Sequence, residues 1–375
     1  MLRCTEQYAS TTTKELSNAV HLSSGAKPPA PGSKPQSLPP GLHVRWPDFL
    51  RRVGYALLVI VLVTLGVRAL MSLAPGSIAE VVLGESATAE NVAALEQELG
   101  LDRPFFVQYF DWATNAVQGD LGTSLITHMS VSESILQRLP VTLELAVLAL
   151  VIAMGVAVPL AVLSAAFPNS ILDRVINAVT SVFLSIPAFV AGPILVFVFA
   201  VQLGMLPALG WIPIGTDLGG NLRSALLPAV AVALTEIAAF HRVLRADLIG
   251  TLREDYVAAA RAKGMRPGYV MFRHAFRPSS FSLLTISGLS LARLIGGTII
   301  VEALFVLPGL GQLISGAIIQ RDVITVQGVV TIIAVAFVVI NMLVDVGYGI
   351  IDPRVRNSAR RAKKKAIAPV KAVPA

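Results

Sequence analysis

The chain has 375 residues, of which 54% are hydrophobic and only 14% charged, and its mean hydropathy is +0.71. A soluble domain carries about a quarter charged residues, so this balance points to lipid as the solvent. One cysteine, Cys4, excludes a disulfide framework and a multi-cysteine metal site. The histidines (His21, His43, His128, His241, His274) include no pair at the spacing of a helical zinc motif. The net charge of +7 would suit nucleic acid in a soluble protein. In a membrane chain basic residues mark cytoplasmic loops instead, so no nucleic acid partner is expected.

Taken from the start, SGAKPPAPGSKPQSLPPG (24–41) is rich in Pro, Ser, Gly and Lys and cannot bury a core. Residues 1–52 are expected to be a disordered cytoplasmic arm. It is not a signal peptide, because its first apolar run starts far from the terminus. Cys4, with no apolar run before it, reads as a spectator thiol. A bilayer crossing needs about 20 apolar residues. Six stretches qualify: 53–73, 141–166, 174–203, 225–247, 279–305 and 326–351. Pro159, Pro187, Pro193, Gly288, Gly296 and Gly297 fall inside them, which lipid tolerates where neighbouring helices re-satisfy the backbone.

Residues 74–140 hold Arg103 and Arg138 against many acids, among them Glu96, Glu98, Asp102 and Asp111. The loop 248–278 is basic, and so is the tail 352–375. Positive-inside then puts both termini in the cytoplasm and 74–140 outside. Within that outer loop, TAENVAALEQELG (88–100) has a Thr cap, Val92, Leu95 and Leu99 at helical spacing, and Gly100 as a stop. RPFFVQYFDWATNAV (103–117) comes next in the chain, with an aromatic face. That face suits either the membrane interface or packing on the bundle.

There is no GxxxxGK[ST], HExxH or GxSxG, so no P-loop, zincin or nucleophile-elbow chemistry is expected. Ser181, Ser185, Thr285, Ser287 and Ser290 read as interhelical hydrogen-bonding groups. No catalytic residue, metal ligand or bound cofactor emerges, and transport is what remains. Intramembrane ionisable residues are its pointers: Glu144, Glu236, His241, Arg293 and Asp345. Glu236 lies as far from Leu226, at the outer end of its span, as Arg293 lies from Ala303. The two should share a depth and pair, because a lone mid-bilayer Arg costs at least about 2.5 kcal/mol. Glu302 and Arg321 fall nearer the interface and are expected to be solvated.

EDYVAAARAKGMRPGYVMFRHAFRP (254–278) is built differently from a tether. Val257, Ala260 and Ala262 precede Gly264, a natural left-handed helix stop. Pro267 suits the first turn of a second helix, whose ridge is Val270, Met271 and Phe272 among Arg266, Arg273 and Arg277. The expectation is a helix–turn–helix platform across the cytoplasmic face, shaped for docking another protein.

AAARAKG (258–264) resembles the EAA loop of ABC importer permeases, EAA-x3-G-x9-I-x-LP. Ala259, Ala260 and Gly264 match; Ala258 replaces the Glu, and His274, Ala275, Phe276 and Arg277 stand where I-x-LP would be. These departures resemble the dipeptide/oligopeptide branch. So do LGLDRPFFVQYFDW (99–112), GDLGTS (119–124), RLPVTLEL (138–145), VEALFVLPGLGQL (301–313), RDVITVQGVV (321–330) and NMLVDVGYGIIDPRVR (341–356). The resemblance runs over 53–356 and is to the first permease subunit of peptide importers.

It implies an all-α membrane protein with six transmembrane helices, in the type I importer permease fold with a cytoplasmic coupling helix. Its setting would be a bacterial inner membrane, in contact with lipid. The permease core would span 141–351, with the coupling loop at 248–278. Implied partners are a second homologous permease subunit, two ABC ATPase domains that use ATP and Mg, and an extracytoplasmic peptide-binding protein. In the coupling loop Ala259, Ala260 and Gly264 would form the docking core. Arg261, Lys263 and Arg266 would meet acidic groups of the ATPase or lipid headgroups, with Pro267, Arg273 and His274 completing the loop. Glu144, Glu236, Arg293 and Asp345 would line the path or pair within the membrane. The same branch resembles carriers of nickel chelates, glutathione or sugars. An ATP-independent channel or secondary transporter, and a membrane scaffold or sensor, are the readings from other classes.

Overall fold

A computed structural model of the protein describes residues 46–73, 78–98 and 100–351, with the side chains of 46–49 and 345–351 outside the description. The expected arm up to residue 45, Leu99 and the basic tail 352–375 lie outside the described residues. The chain divides into two units between Arg52 and Val53, and the second, from Val53 onward, holds the helical bundle. Its described residues are mainly helical, with one isolated bridge between Thr123 and Ser130.

In chain order the helices are α1 (Trp46–Leu73), α2 (Ile78–Leu83), α3 (Ala89–Glu98), α4 (Phe105–Val117), α5 (Val131–Ala166), α6 (Ile171–Ser185) and α7 (Ala188–Leu195). Then come α8 (Leu218–Leu252), α9 (Asp255–Ala262), α10 (Pro267–Gly297), α11 (Ile299–Leu304), α12 (Leu310–Ile319) and α13 (Val323–Ile351). Five helices are long and apolar enough to cross a membrane, or six if the bent pair of α6 with α7 and its extension is one span.

The first helix begins at Trp46, so residues 46–52 are helical and correct the expectation of a disordered arm reaching 52, and α13 begins three residues early, at Val323. At four other places the helices depart from the apolar stretches, each for a local reason. α5 starts at Val131, ahead of Pro140, because Ser130 caps it by accepting the Glu133 N–H in the Ser-x-x-Glu arrangement that satisfies first-turn donors. The stretch 174–203 is no single rod. Pro187 comes two residues after Ser185 and disfavours helical geometry at Ile186, and the two halves meet at 104°. α8 outruns 225–247 at both ends, with Asp217 accepting the Gly219 N–H at its start. The stretch 279–305 splits: α10 begins earlier, at Pro267, and ends at Gly297, leaving α11 separate.

The core is the seam between α5 and α8. Leu145, Ala149, Ala153, Ala157, Ala161 and Ala165 are buried at four-residue spacing. They let α8 approach through Ala229, Ala233, Ile237, Phe240, Leu244 and Leu248. In lipid, where burial of apolar surface gives little drive, such small-residue seams associate helices by close van der Waals contact. α1 is mostly exposed. It attaches through a hydrogen bond of 2.9 Å between the Thr64 and Tyr109 hydroxyls and through Arg68, which donates to Gln327 at 3.2 Å. Thr88 caps α3 by accepting the Asn91 N–H. α4 buries Tyr109, in line with packing on the bundle, and leaves Phe106 and Phe110 exposed.

Candidate functional site

Between α8 and α10 the chain forms a compact helical hairpin. α9 closes with two hydrogen bonds, from the Gly264 N–H to the Arg261 carbonyl at 2.9 Å and from the Met265 N–H to the Ala260 carbonyl at 3.3 Å. This is the paired closure that satisfies orphan carbonyls at a helix end and requires a left-handed residue. Gly264 supplies it with φ +75°. Arg266 then has extended backbone and Pro267 takes the first position of α10, where a missing N–H costs nothing. Val257, Ala260 and Val270 are buried together beneath the turn. The Tyr256 hydroxyl donates to the His274 carbonyl at 3.1 Å, inside a π-helical turn over Val270–Phe276. The Tyr269 ring stands edge-on to His274 at 5.6 Å.

Ala259, Arg261, Lys263, Gly264, Arg266, Pro267 and Arg273 are exposed on this hairpin. Ala260 is not: it is 5% exposed and faces its own chain, so its small size serves internal packing and the expectation of a docking contact there is corrected. His274 is half-buried, and its Nε2 has no hydrogen-bond partner among the described residues. The second helix of the platform continues without a break as the long helix α10. A groove of 630 Å³ opens between the hairpin and the ends of α5 and α8, lined by Val162, Phe167, Leu252, Met265 and Met271, with Arg253 and Arg261 at its edge.

The same end of the bundle carries a clamp that the sequence did not reveal. Asp173, 3% exposed, accepts from Arg245 Nε at 2.8 Å and Nη2 at 2.6 Å. It also accepts from the Asn169 N–H at 2.9 Å, from Asn177 at 2.7 Å and from the Ser164 hydroxyl. A carboxylate with this many donors is well compensated for its desolvation, and it ties α5, α6 and α8 together. Its one signal in the sequence is the Ser170–Asp173 spacing of a helix start. His241, one turn before Arg245, is buried with Nδ1 3.4 Å from the Thr180 hydroxyl.

Deeper in the bundle α8 and α10 run antiparallel. The Thr251 and Ser279 hydroxyls are 3.1 Å apart, and the Ser290 hydroxyl donates to Glu236 at 2.6 Å. Arg293 Nη2 is 3.4 Å from the same Glu236 oxygen, so the two expected partners stand side by side. Glu144 is half-buried on α5, apart from that pair. Asp345 falls on α13 where side chains lie outside the description.

Glu302 corrects another expectation. It is fully buried, not solvated, and accepts from the Gly311 N–H at 2.7 Å and the Thr298 hydroxyl at 2.8 Å. Burial pushes its carboxyl up, while those two donors pull it down. Thr142 of α5 joins the knot by accepting the Leu310 N–H at 2.9 Å. Among the described residues no group of three or more His, Cys, Asp or Glu could hold a metal ion.

Comparison with known proteins places this architecture. Residues 157–357 match the model of the binding-protein-dependent transport system inner membrane component, and residues 47–146 match its N-terminal companion. A Brucella abortus protein named as a peptide transport system permease is 39% identical over 307 residues, covering 82% of this chain and 98% of that protein. An oligopeptide transport system permease of Bacillus subtilis is 34% identical over 309 residues, with the same coverage of 82% and 98%. A glutathione transport system permease of Escherichia coli is 34% identical over 282 residues, covering 75% of this chain and 90% of that one. Five or six membrane-length apolar spans, a helical hairpin between them and family-model matches along almost all of the described chain agree: the chain belongs to the family of binding-protein-dependent transport system inner membrane components.

Proposed function

We propose that the chain is the first permease subunit of an ATP-driven importer of di- and oligopeptides. The observation that carries this reading is the length of the match to relatives named for peptide transport, 82% of this chain and 98% of theirs. The chain pairs with a second six-span permease, and two ABC ATPase domains supply ATP hydrolysis with Mg. A peptide-binding protein delivers cargo to the outer face. Both termini and the hairpin face the cytoplasm, where positive charge accumulates.

The hairpin is the ATPase docking site. Ala258, Ala259, Arg261, Lys263 and Arg266 are exposed on it, small and basic groups that suit a close partner with acidic edges. Glutathione is a second cargo, favoured by the E. coli relative; it is itself a peptide, so the chemistry of the path is shared.

The test is purification in mild detergent from the native host, then uptake of labelled dipeptide into proteoliposomes. A P-loop ATPase and a second six-span protein should co-purify, and uptake should need ATP. Gly264→Trp should leave the chain in the membrane while removing the ATPase and the uptake. Uptake without ATP, by the chain alone, would overturn the importer reading.

A further inference from the structure

Arg293 differs from the other buried-network charges in where its charge points. Asp173, Glu236 and Glu302 are 3%, 7% and 0% exposed, whereas the Arg293 side chain is 57% exposed. Its Nη2 donates to Ser290 at 2.8 Å and lies 3.4 Å from Glu236. Its Nε and Nη1 have no partner among the described residues. Leu289, one turn earlier on the same face of α10, is also exposed, so the guanidinium projects beside an apolar side chain. Glu236, which sets its height, is near the middle of the 35-residue α8. At that depth a lipid-facing Arg costs at least about 2.5 kcal/mol, and such residues turn instead to protein or to a water-filled cavity.

We infer that Arg293 is a specificity-determining residue of the translocation path, taking the C-terminal carboxylate of a passing peptide. Ser290 and Glu236 are positioning residues that hold the guanidinium toward the path. This inference rests on the peptide-importer reading above. A guanidinium with unused, coplanar donors is the group best matched to a carboxylate. Glu236 already balances its charge, so a permanent acid from a partner subunit would leave the site net negative. A transient carboxylate is accommodated and then released, as passage requires of any site along a conducting path. The tether to Ser290 keeps the long side chain oriented, which lowers the entropy lost when cargo arrives.

The experiment uses the complete transporter in proteoliposomes, with this chain, the second permease, the ATPase domains and the binding protein. Uptake of Ala-Ala and of Ala-Ala amide is measured, each as a ratio of variant to wild type, so that any preference of the binding protein cancels. Arg293→Gln should lower the free-acid ratio about tenfold, the loss of one charge-assisted contact, while the amide ratio stays near one. Arg293→Lys should recover part of the free-acid uptake. Equal losses for acid and amide would make Arg293 a structural residue and overturn the inference, as would no loss for either. If Arg293→Gln does not assemble with its partners, Ser290→Ala carries the same comparison, with a smaller loss confined to the free acid. Wild-type transporter that imports neither peptide, yet moves another solute with ATP, would overturn the peptide reading itself, a result seen before any variant is made.

Discussion

Gly264 and Gly309 both punctuate turns between helices, and they are glycine for opposite reasons. Around Gly264 there is open space; a Cβ there would meet nothing within 4 Å, but φ is +75°. At Gly309 the backbone is ordinary, with φ −101°, and a Cβ would collide with the Glu302 carboxylate and come within 2.9 Å of the Thr142 hydroxyl. At Gly311 the obstacle is backbone instead of a side chain, a Cβ there meeting Ile299. The hairpin turn therefore needs a conformation, and the turn at 308–311 needs an absence of atoms. An exposed turn of the first kind is free to serve a partner; a buried one of the second kind holds the fold.

Four substitutions separate these cases. Gly311→Ala should be the most damaging, since a methyl set against backbone cannot be relieved by a rotamer change. Overpacking of this kind costs up to about 3 kcal/mol, and abundance in the membrane fraction, read by immunoblot, should fall several-fold. Glu302→Ala should cost about 2 kcal/mol by leaving the buried Gly311 N–H unsatisfied, lowering the thermal midpoint in detergent. In that background Gly309→Ala should add little, although alone it should be severe; additive losses would refute the collision as the reason for glycine. Gly264→Ala should be mildest, about 1 kcal/mol for a left-handed Ala, with membrane abundance unchanged.

How much of this could be read in advance depended on the range of the interaction. Helices written by local rules were legible: the Thr88 cap, the Gly264 stop and the Pro267 start all lie within a few residues of what they control. Glu236 beside Arg293 was also within reach, because two helices of known rise set their depths. The bend after Ser185 was not, since apolar composition is the same on both sides of Pro187 and hydropathy does not report direction. Nor was the clamp, whose members Ser164, Asp173 and Arg245 meet only when three helices converge. Glu302 misled because a carboxylate next to an apolar end ordinarily finds water; here the Gly311 N–H and the Thr298 hydroxyl take water's place. Ala260 misled in the other direction, since a small residue suits an interface and an internal contact equally well.

The continuity of α10 has a mechanical meaning. From Pro267 in the hairpin to Arg293, level with the middle of α8, the chain is one helix of roughly 40 Å, with no loop between. Its one irregularity is the wider turn over Val270–Phe276, whose His274 carbonyl is strapped to the hairpin by Tyr256. A partner that grips the exposed end holds the handle of a lever whose far arm carries a charged fingertip. Rotation applied at the handle reaches the fingertip undiminished unless the wider turn yields. Stroke and cargo contact then belong to a single rigid piece, and the timing between them needs no messenger.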